Sequence, residues 1–388
     1  MKLAIIHGKI VTMSDKEKEV IPGGTLLVKD GIIERILENK EEIPAEYRKI
    51  DAKGCFVMPG FIEAHCHMGI TEEKKGMEGD DCNEGVDPIT PSLRAIDAIN
   101  PMDDAFHNAV KAGITAANIG PGSSNVVGGQ FVVVNNHGRC IDEMVLKAPS
   151  ALKVAFGENP KVNYSGMSKS PATRMAIAAM LRKELLCAKQ YLSGHKKDQN
   201  TDLRFEAYRP VFEKKIPIKA HVHRADDIQT AMRIAREFDV RMTLDHCSEG
   251  HFITDEIKAS GFPAIVGPDL ASRNKIEVQN MAFKTAGILS KAGILTAITT
   301  DHPVSIIQTL PLCAALAVKE GMEMDAALKA ITIHAARICG VDDKIGSLDA
   351  GKQADIVIYD GHPFDIFTKT MCTMIKGEIV YRAPQFFI

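Results

Sequence analysis

Histidine and aspartate side chains recur at the ends of four apolar segments of this sequence. Residues two positions apart on a strand point to the same face, so a His-x-His pair can hold one ion between its rings. Imidazole and carboxylate ligands suit Zn²⁺, and Mn²⁺, Fe²⁺ or Co²⁺ are also compatible with them. A metal site is therefore predicted if the fold brings the four ends together. The residues concerned are His65 and His67, His221 and His223, His246, and Asp301 with His302.

The elements that carry these residues predict an α/β fold in which apolar strands alternate with helices. Strands are predicted at 55–64, 114–119, 130–134, 152–156, 216–222, 241–245, 264–266 and 295–299. Helices are predicted at 103–112, 173–192, 227–237, 275–291, 304–319 and 325–339. Eight such strands with mostly helical returns indicate a (β/α)₈ barrel of the TIM type. In that fold the active site lies at the carboxyl ends of the strands, where the histidines occur.

Short strand patterns at both ends of the chain predict a second, smaller unit. Neither terminal group of strands could build a sufficient core alone, so the two groups are expected to pair with each other. This predicts a small β-sandwich domain composed of residues 1–55 and 346–388. The barrel is then expected to span residues 56–345.

The composition restricts the partners of the protein. The chain has 388 residues, 45% of them hydrophobic, and a net charge of −3. This argues against nucleic acid or an anionic membrane as the main partner, since both need concentrated lysine and arginine. The nine cysteines contain no Cys-x-x-Cys pair, which favours reduced thiols and a cytoplasmic location. The run at 195–197 is predicted to be a solvated loop.

The fourth predicted strand ends in Glu158, which offers a carboxylate at the same edge. Pro160 disfavours a helical conformation at Asn159, so this segment is expected to remain an extended loop. Glu158 is predicted to be a further metal ligand or a bridge between two ions. A solvated loop glutamate is the alternative.

Two longer motifs give a specific resemblance. The segment MPGFIEAHCH at 58–67 resembles the opening motif of the amidohydrolase superfamily of metal-dependent hydrolases, and IGSLDAGKQADIV at 345–357 resembles its C-terminal signature. The segments GENP at 157–160 and HVHRADD at 221–227, with the glycine-rich segment at 121–130, are similar to an imidazolonepropionase-related subgroup. The resemblance covers nearly the whole chain.

This resemblance implies a role for each matching residue. It implies that His65, His67, His221 and His246 are metal ligands. Glu158 occupies the place where members carry a bridging carboxylate or a carboxylated lysine. Lys153 is predicted to lie too early in its strand to substitute for Glu158. Asp301 matches the aspartate that binds metal or water and transfers protons.

The chemistry expected of such a site is hydrolysis of a C–N amide bond. Metal-bound hydroxide would attack the carbonyl, and Asp301 would accept the proton and return it to the leaving nitrogen. Deaminases on this scaffold commonly carry His-x-x-Glu after the fifth strand, where this chain has Arg224. The predicted substrate is a small cyclic amide, an N-acyl compound or a dipeptide-like molecule. A deaminase of a nitrogen heterocycle and a metal-free, non-catalytic assembly protein are the alternatives.

A further set of residues near the predicted mouth is assigned to substrate binding. Arg224 and Arg273 could recognise a substrate carboxylate or pair with nearby acids. The others have substrate-binding or supporting roles as their functional interpretation and ordinary structural roles as the alternative. The set comprises His223, Arg224, Asn125, Gln130, Arg273 and His302. One or two divalent ions, Zn²⁺ first, are expected, and the resemblance implies a homo-oligomer.

Overall fold

The structure is a computed structural model that describes residues 1–16, 19–38, 41–73, 76–194 and 200–386. The run at 195–197, predicted as a solvated loop, lies outside the described residues. No described helix is both long enough and apolar enough to cross a bilayer. All nine cysteines are free thiols. The oligomeric state and the cellular location stay predictions.

Two sheets contain all the strands of the described chain. In chain order the strands are β1 Lys2–Val11, β2 Val20–Lys29, β3 Ile32–Leu37, β4 Arg48–Asp51, β5 Phe56–Pro59, β6 Phe61–Cys66, β7 Ile114–Ile119, β8 Val127–Asn135, β9 Val145–Ala155, β10 Ile218–Val222, β11 Met242–His246, β12 Ala264–Val266, β13 Thr296–Ile298, β14 Ile356–Tyr359, β15 Thr370–Ile375 and β16 Glu378–Arg382.

Strands from both termini form one eight-stranded sheet, as the sequence predicts. Its order is β16-β15-β14-β5-β1-β2-β3, with β4 paired to β1. The turn at Gly31 lies against the turn at Lys376 and Gly377, so the sheet curls until its two ends approach each other. Strand β5 belongs to this sheet, although residues 56–59 were predicted as part of the barrel. The chain changes sheets at Gly60, where a larger residue would collide with Thr115. The division into two domains stays a prediction.

The second sheet is the predicted barrel, with the order β6-β7-β8-β9-β10-β11-β12-β13. Backbone pairing does not join β13 to β6 in the described chain. Glu63 closes this gap with its side chain, which accepts hydrogen bonds from Thr299 Oγ1 at 2.5 Å and from Thr300 N at 2.9 Å. Above it, His67 N donates to His302 O at 2.8 Å. These contacts fix the strand that carries His65 and His67 relative to the loop that carries Asp301.

The third barrel strand departs from the (β/α)₈ pattern, in which all strands run parallel. β8 pairs antiparallel with both β7 and β9. Only residues 120–126 connect β7 to β8, whereas a parallel connection needs a crossover of about a dozen residues or more. The prediction of a parallel third strand is therefore wrong, while the barrel itself is confirmed.

Helices cover most of the barrel. They are α1 Asp104–Lys111, α2 Ile141–Met144, α3 Glu158–Gly166, α4 Arg174–Gly194, α5 Leu203–Glu206, α6 Arg209–Phe212, α7 Ala225–Phe238, α8 Thr254–Ser260, α9 Lys284–Lys291, α10 Leu310–Lys319, α11 Met324–Ala330 and α12 Ile333–Cys339.

Three of the predicted helices are shorter or broken in the structure. The helix predicted at 275–291 is regular only in α9, because residues 275–283 fold into the barrel mouth. The helix predicted at 304–319 is regular only from Leu310. The helix predicted at 325–339 is divided into α11 and α12, because Ile331 O accepts a hydrogen bond from Ile62 N of the barrel instead of continuing the helix.

Candidate functional site

The carboxyl ends of the barrel strands surround a cavity of about 710 Å³. This volume lies within the range of small-molecule sites. Histidines from two strands reach it, together with polar residues from the loops that follow the fourth, seventh and eighth strands. Its lining includes His67, Asn159, His221, His223, Lys275 and Asp301.

The end of β6 and the loop after β13 bring His65, His67 and Asp301 together. Asp301 Oδ1 lies 3.2 Å from His67 Nε2 and 3.4 Å from His65 Nε2. His67 Nδ1 lies 2.7 Å from Gly120 O, and His65 Nδ1 lies 2.8 Å from Asp245 Oδ2. Because a carbonyl and a carboxylate accept hydrogen bonds, the Nδ1 atoms carry the protons and the Nε2 atoms keep lone pairs.

These lone pairs face a carboxylate oxygen that is itself an acceptor. No described residue supplies a hydrogen-bond donor to the buried Oδ1 of Asp301 when the histidines are neutral. Acceptors that face each other in a buried site require a cation between them. A proton can be that cation: burial opposes charge on His67, but Cys82 and Asp301 outweigh it and raise its pKa to about 10. A divalent ion fits the same place, with ligands that zinc prefers.

Lys153 also reaches this group, so the prediction that it lies too early in its strand is wrong. β9 ends at Ala155, and Lys153 is thus about 7 Å below the strand end at roughly 3.3 Å per residue. The four-carbon stem spans that distance, and Nζ lies 3.2 Å from His65 Nε2. Burial lowers the pKa of Lys153 to about 8, against the attraction of Asp245 and Asp301.

On the opposite side of the cavity floor, β10 and β11 bring three imidazoles together. The ligand atoms of His221, His223 and His246 all lie within 4.8 Å of one another. Nδ1 of His246 lies 2.8 Å from Gly267 O, and Nδ1 of His223 lies 2.8 Å from Ser248 Oγ. Burial lowers the pKa of His223 to about 4 and those of His221 and His246 well below the usual value. Three neutral imidazoles can therefore act as ligands here.

Two histidine groups are thus present: His65 and His67 form the first, and His221, His223 and His246 form the second. The structure does not bring Glu158 to either group. Glu158 begins helix α3, so the prediction of an extended loop is wrong. Pro160 is tolerated because it lies in the first helical turn, where its missing N–H has no partner to lose. Glu158 Oε2 accepts a hydrogen bond from Glu277 N at 3.3 Å. Within the described chain, Glu158 belongs to no group of candidate ligands.

Glu277 supplies the carboxylate that lies beside the second histidine group. It is only 1% exposed, and its Oε2 accepts a hydrogen bond from Glu158 N at 2.8 Å. Its Oε1 lies 3.6 Å from His221 Nε2 and 4.0 Å from His223 Nε2. Gly157 allows this approach, since a Cβ there would lie 2.8 Å from Glu277 Oε2.

Lys275 and Asn159 form the polar wall next to Glu277. Lys275 Nζ donates to Asn159 Oδ1 at 2.7 Å and to Glu277 Oε1 at 3.2 Å. Asn159 Nδ2 donates in turn to Ser123 Oγ at 2.7 Å. The sequence analysis missed Lys275 and Glu277, although the proximity of Arg273 on the same loop was a signal that could have found them.

Two of the predicted substrate-binding residues are used inside the fold. Asn125 is buried, donates to Thr90 Oγ1 at 2.9 Å and accepts from Tyr164 OH at 2.9 Å. Gln130 lies on β8 and donates to Pro91 O at 3.3 Å. Neither residue lines the cavity in the described part of the chain.

Three others also lie outside the cavity lining formed by the described residues. Arg224 pairs with Asp226 at 2.9 Å, which matches the alternative in which it binds a nearby acid and not a substrate carboxylate. Arg273 donates to a backbone carbonyl at 2.9 Å, and His302 Nδ1 accepts from a backbone N–H at 3.1 Å. Of the six residues assigned to substrate binding, His223 is the one that the structure places on the cavity wall.

The chain is similar to known amidohydrolases in sequence and in fold. A sequence profile of the amidohydrolase family matches residues 56–380. A solved amidohydrolase from Thermotoga maritima MSB8 is 36% identical, with a TM-score of 0.94, and the match covers 98% of this chain and 100% of that one. An amidohydrolase of Hapsidospora irregularis, tasK, is 28% identical over 93% of this chain, which spans only 40% of that protein. An imidazolonepropionase of Pseudomonas putida is 23% identical over 91% of both chains.

Proposed function

The chain belongs to the amidohydrolase family, and from that premise we propose that it hydrolyses an amide C–N bond of a small substrate with the help of divalent ions. The substrate class is a cyclic amide, an N-acyl compound or a dipeptide-like molecule. The observation that carries this proposal is the contact of Asp301 Oδ1 with the Nε2 atoms of His65 and His67. A cation between the carboxylate and the imidazoles would satisfy these acceptors, and His67 and Asp301 line the cavity.

Ligand roles follow from the two histidine groups. His65, His67 and Asp301 would hold one ion, because Asp301 Oδ1 contacts both imidazoles, and His221 and His246 would contribute to a second. His246 also forms a candidate group with His65 and Asp301, so the two sites would be adjacent. When bound, a divalent ion acidifies a water molecule and polarises the amide carbonyl. We propose Zn²⁺ as the first candidate for the bound metal.

Lys153 takes the bridging role that the sequence analysis gave to Glu158. Its amine is neutral over a wider pH range than that of an exposed lysine, because its pKa is lowered to about 8. A neutral amine can add CO₂ to form a carbamate, releasing one proton and exposing two oxygens that share one negative charge. Such a group would place negative charge between the two histidine groups.

Asp301 is proposed to move the proton during hydrolysis. It accepts the proton of the attacking water and gives it to the leaving nitrogen as the C–N bond breaks. The amide and one water thus yield a carboxylic acid and an amine. Asp245 acts as a positioning residue, because its carboxylate fixes the orientation of His65 through Nδ1 at 2.8 Å.

The cavity wall supports a small polar substrate. Asn159 and Ser123 offer hydrogen-bonding groups, and Lys275 offers a positive charge to a carboxylate on the substrate. A substrate with an amide near the histidines and an acid group at Lys275 matches this distribution.

The test is amine release from a panel of N-acyl amino acids, dipeptides and cyclic amides, followed by mass spectrometry. The protein is supplied with Zn²⁺ or Mn²⁺, and chelator-treated protein serves as the control. We expect metal-dependent cleavage of at least one amide class. Ammonia release from aminated heterocycles with no amide cleavage would instead favour the deaminase alternative.

A further inference from the structure

The proposed function assigns no role to two residues at the second histidine group, His223 and Glu277. His223 lies two positions after His221 on the same strand end, and its ring stacks on that of His246 with centroids 4.9 Å apart. Glu277 comes from the loop after β12 and is almost fully buried. Both direct a polar atom toward the same point as His221.

We propose that His223 and Glu277 complete a second four-ligand metal site together with His221 and His246. The inference rests on the proposed function only in requiring divalent ions. It divides the ligands by strand, so that β6 and the loop after β13 hold one ion, and β10, β11 and the loop after β12 hold the other. Each ion then has its own carboxylate, Asp301 in the first site and Glu277 in the second.

The distances agree with this assignment. Ligand atoms in a tetrahedral site with bonds of about 2.1 Å lie about 3.4 Å apart. Glu277 Oε1 lies 3.6 Å from His221 Nε2 and 4.0 Å from His223 Nε2. The three imidazole ligand atoms lie within 4.8 Å of one another. The three imidazole ligand atoms form a group that does not include Glu277, so the four side chains would have to close by up to about 1.4 Å to bind one ion.

The two added ligands, His223 and Glu277, are each held in a suitable orientation by a neighbour. Ser248 Oγ engages Nδ1 of His223 at 2.8 Å, which leaves Nε2 directed at the cluster. Glu158 N–H fixes one oxygen of Glu277 and leaves the other facing the imidazoles. Such supporting contacts orient metal ligands and commonly contribute a factor of about 10 to 100 in affinity.

The ammonium group of Lys275 occupies the cation position at Glu277 Oε1, at 3.2 Å. Its side chain is 31% exposed and has a second acceptor in Asn159 Oδ1 at 2.7 Å. Lys275 can therefore leave Glu277 without losing all its partners.

The test is a count of ions per chain. Chelator-stripped protein is titrated with Co²⁺, and bound metal is measured by mass spectrometry alongside the visible absorption of the ion. We expect two ions in the unmodified chain. His223→Gln and Glu277→Gln should each keep the first ion and bind the second at least tenfold more weakly, whereas His65→Ala should lose the first.

Three further variants separate a ligand from a merely structural residue. Ser248→Ala removes the hydrogen-bond partner of His223 Nδ1 and should weaken binding of the second ion about 10- to 100-fold. Lys275→Gln should bind the second ion at least as well as the unmodified chain, because it removes the competing ammonium. Glu184→Gln changes a buried carboxylate that pairs with Arg204 far from the cavity, and should bind both ions normally.

The outcomes distinguish this inference from the proposed function. Two ions bound with unchanged affinity in both His223→Gln and Glu277→Gln would overturn the second site as assigned here. A single ion in the unmodified chain, lost only in His65→Ala, would also overturn it while leaving the proposed hydrolase standing. An unmodified chain that binds no ion would overturn both.

Discussion

Two buried aspartates at opposite ends of the barrel are treated very differently by their surroundings. Asp355, at the amino-terminal end, accepts hydrogen bonds from Asn135 Nδ2 at 3.0 Å, Gln353 Nε2 at 2.8 Å and Lys376 N at 2.9 Å. Asp301, at the carboxyl-terminal end, faces imidazole nitrogens, and its Oδ1 has no donor among the described residues when they are neutral.

The difference separates a carboxyl group that is fully hydrogen-bonded within the fold from one that is prepared for chemistry. Every oxygen of Asp355 is satisfied, and its partners connect β8 of the barrel to the terminal sheet. The unsatisfied oxygen of Asp301 costs stability unless a cation arrives, which is the pattern expected where a site is kept ready for a ligand. Burial alone does not distinguish the two residues, but their hydrogen-bond partners do.

The largest expected effect is on activity at Asp301. Asp301→Asn should lower kcat/KM for the proposed amide substrate by about 10³-fold or more, because it removes the group proposed to move the proton. Steady-state kinetics on metal-supplied protein measures this effect. Asp355→Asn is the matched control, with unchanged activity per folded molecule. Equal losses in both variants would remove the contrast between the two ends.

The next largest effect is expected on the free energy of unfolding, which should depend on pH through Asp355. Burial raises its pKa to about 6, against its hydrogen bonds from Lys376, Gln353 and Asn135. The folded protein therefore holds a proton that the unfolded chain, with a pKa near 3.8, has lost. The stability from this group is present below pH 3.8 and is lost as the pH rises through about 6, by about 3 kcal/mol.

Denaturant unfolding of the parent and Asp355→Asn between pH 4 and 7 measures that change. The asparagine variant should be less stable at pH 4, because the side-chain N–H group introduced at position 355 would face the donating Nδ2 of Asn135. Its deficit should shrink as the pH rises, since the parent alone loses stability over this range. A deficit that grows with pH would show that the carboxylate is favourably charged in the folded protein.

A smaller effect is expected at Lys153. Lys153→Gln should weaken ion retention by about 10- to 100-fold, since it removes a group in contact with His65 and the amine proposed to carry the bridging carbamate. Metal content after dialysis measures it, and Lys219→Gln, which removes the neighbouring buried lysine, is the comparison. If the Lys219 variant alone loses metal, the bridging role does not belong to Lys153.

The smallest effects are expected at residues that the sequence marked but the cavity does not use. Arg224→Gln and Gln130→Ala should change kcat/KM by less than about twofold, because Arg224 pairs with Asp226 and Gln130 binds a backbone carbonyl outside the cavity. Steady-state kinetics on both metal-supplied variants measures the change in kcat/KM. A tenfold rise in KM for Arg224→Gln would return that residue to substrate binding.

Strand ends could be predicted from the sequence, and loop conformations could not. His65, His67, His221 and His246 follow apolar segments whose ends must meet in a barrel, so their convergence follows from the pattern. Glu277 reaches the same place only because residues 275–283 leave the helical pattern and because Gly157 admits its carboxylate. Neither condition is visible in a spacing of residue types.

Two errors have a common physical origin, which is the length of a side chain or a connection. Lys153 was set aside because of its position along the strand, yet its long stem carries the amine to the strand end. The third strand was taken as parallel, yet the connection of residues 120–126 is too short for a crossover. The position of the Lys153 amine and the direction of the third strand could both have been predicted from these lengths. The position of Glu158 could not, because it depends on where helix α3 begins.

The antiparallel strand β8 also limits how this protein can be altered. The segment at 88–94 packs against it, with backbone hydrogen bonds from Thr90 N to Val127 O and from Gln130 N to Leu93 O. The same excursion, between β6 and α1, supplies Cys82 and Asn83 to the cavity wall. Exchanging this loop to change specificity would uncover part of the barrel, so here substrate range and foldability cannot be varied independently.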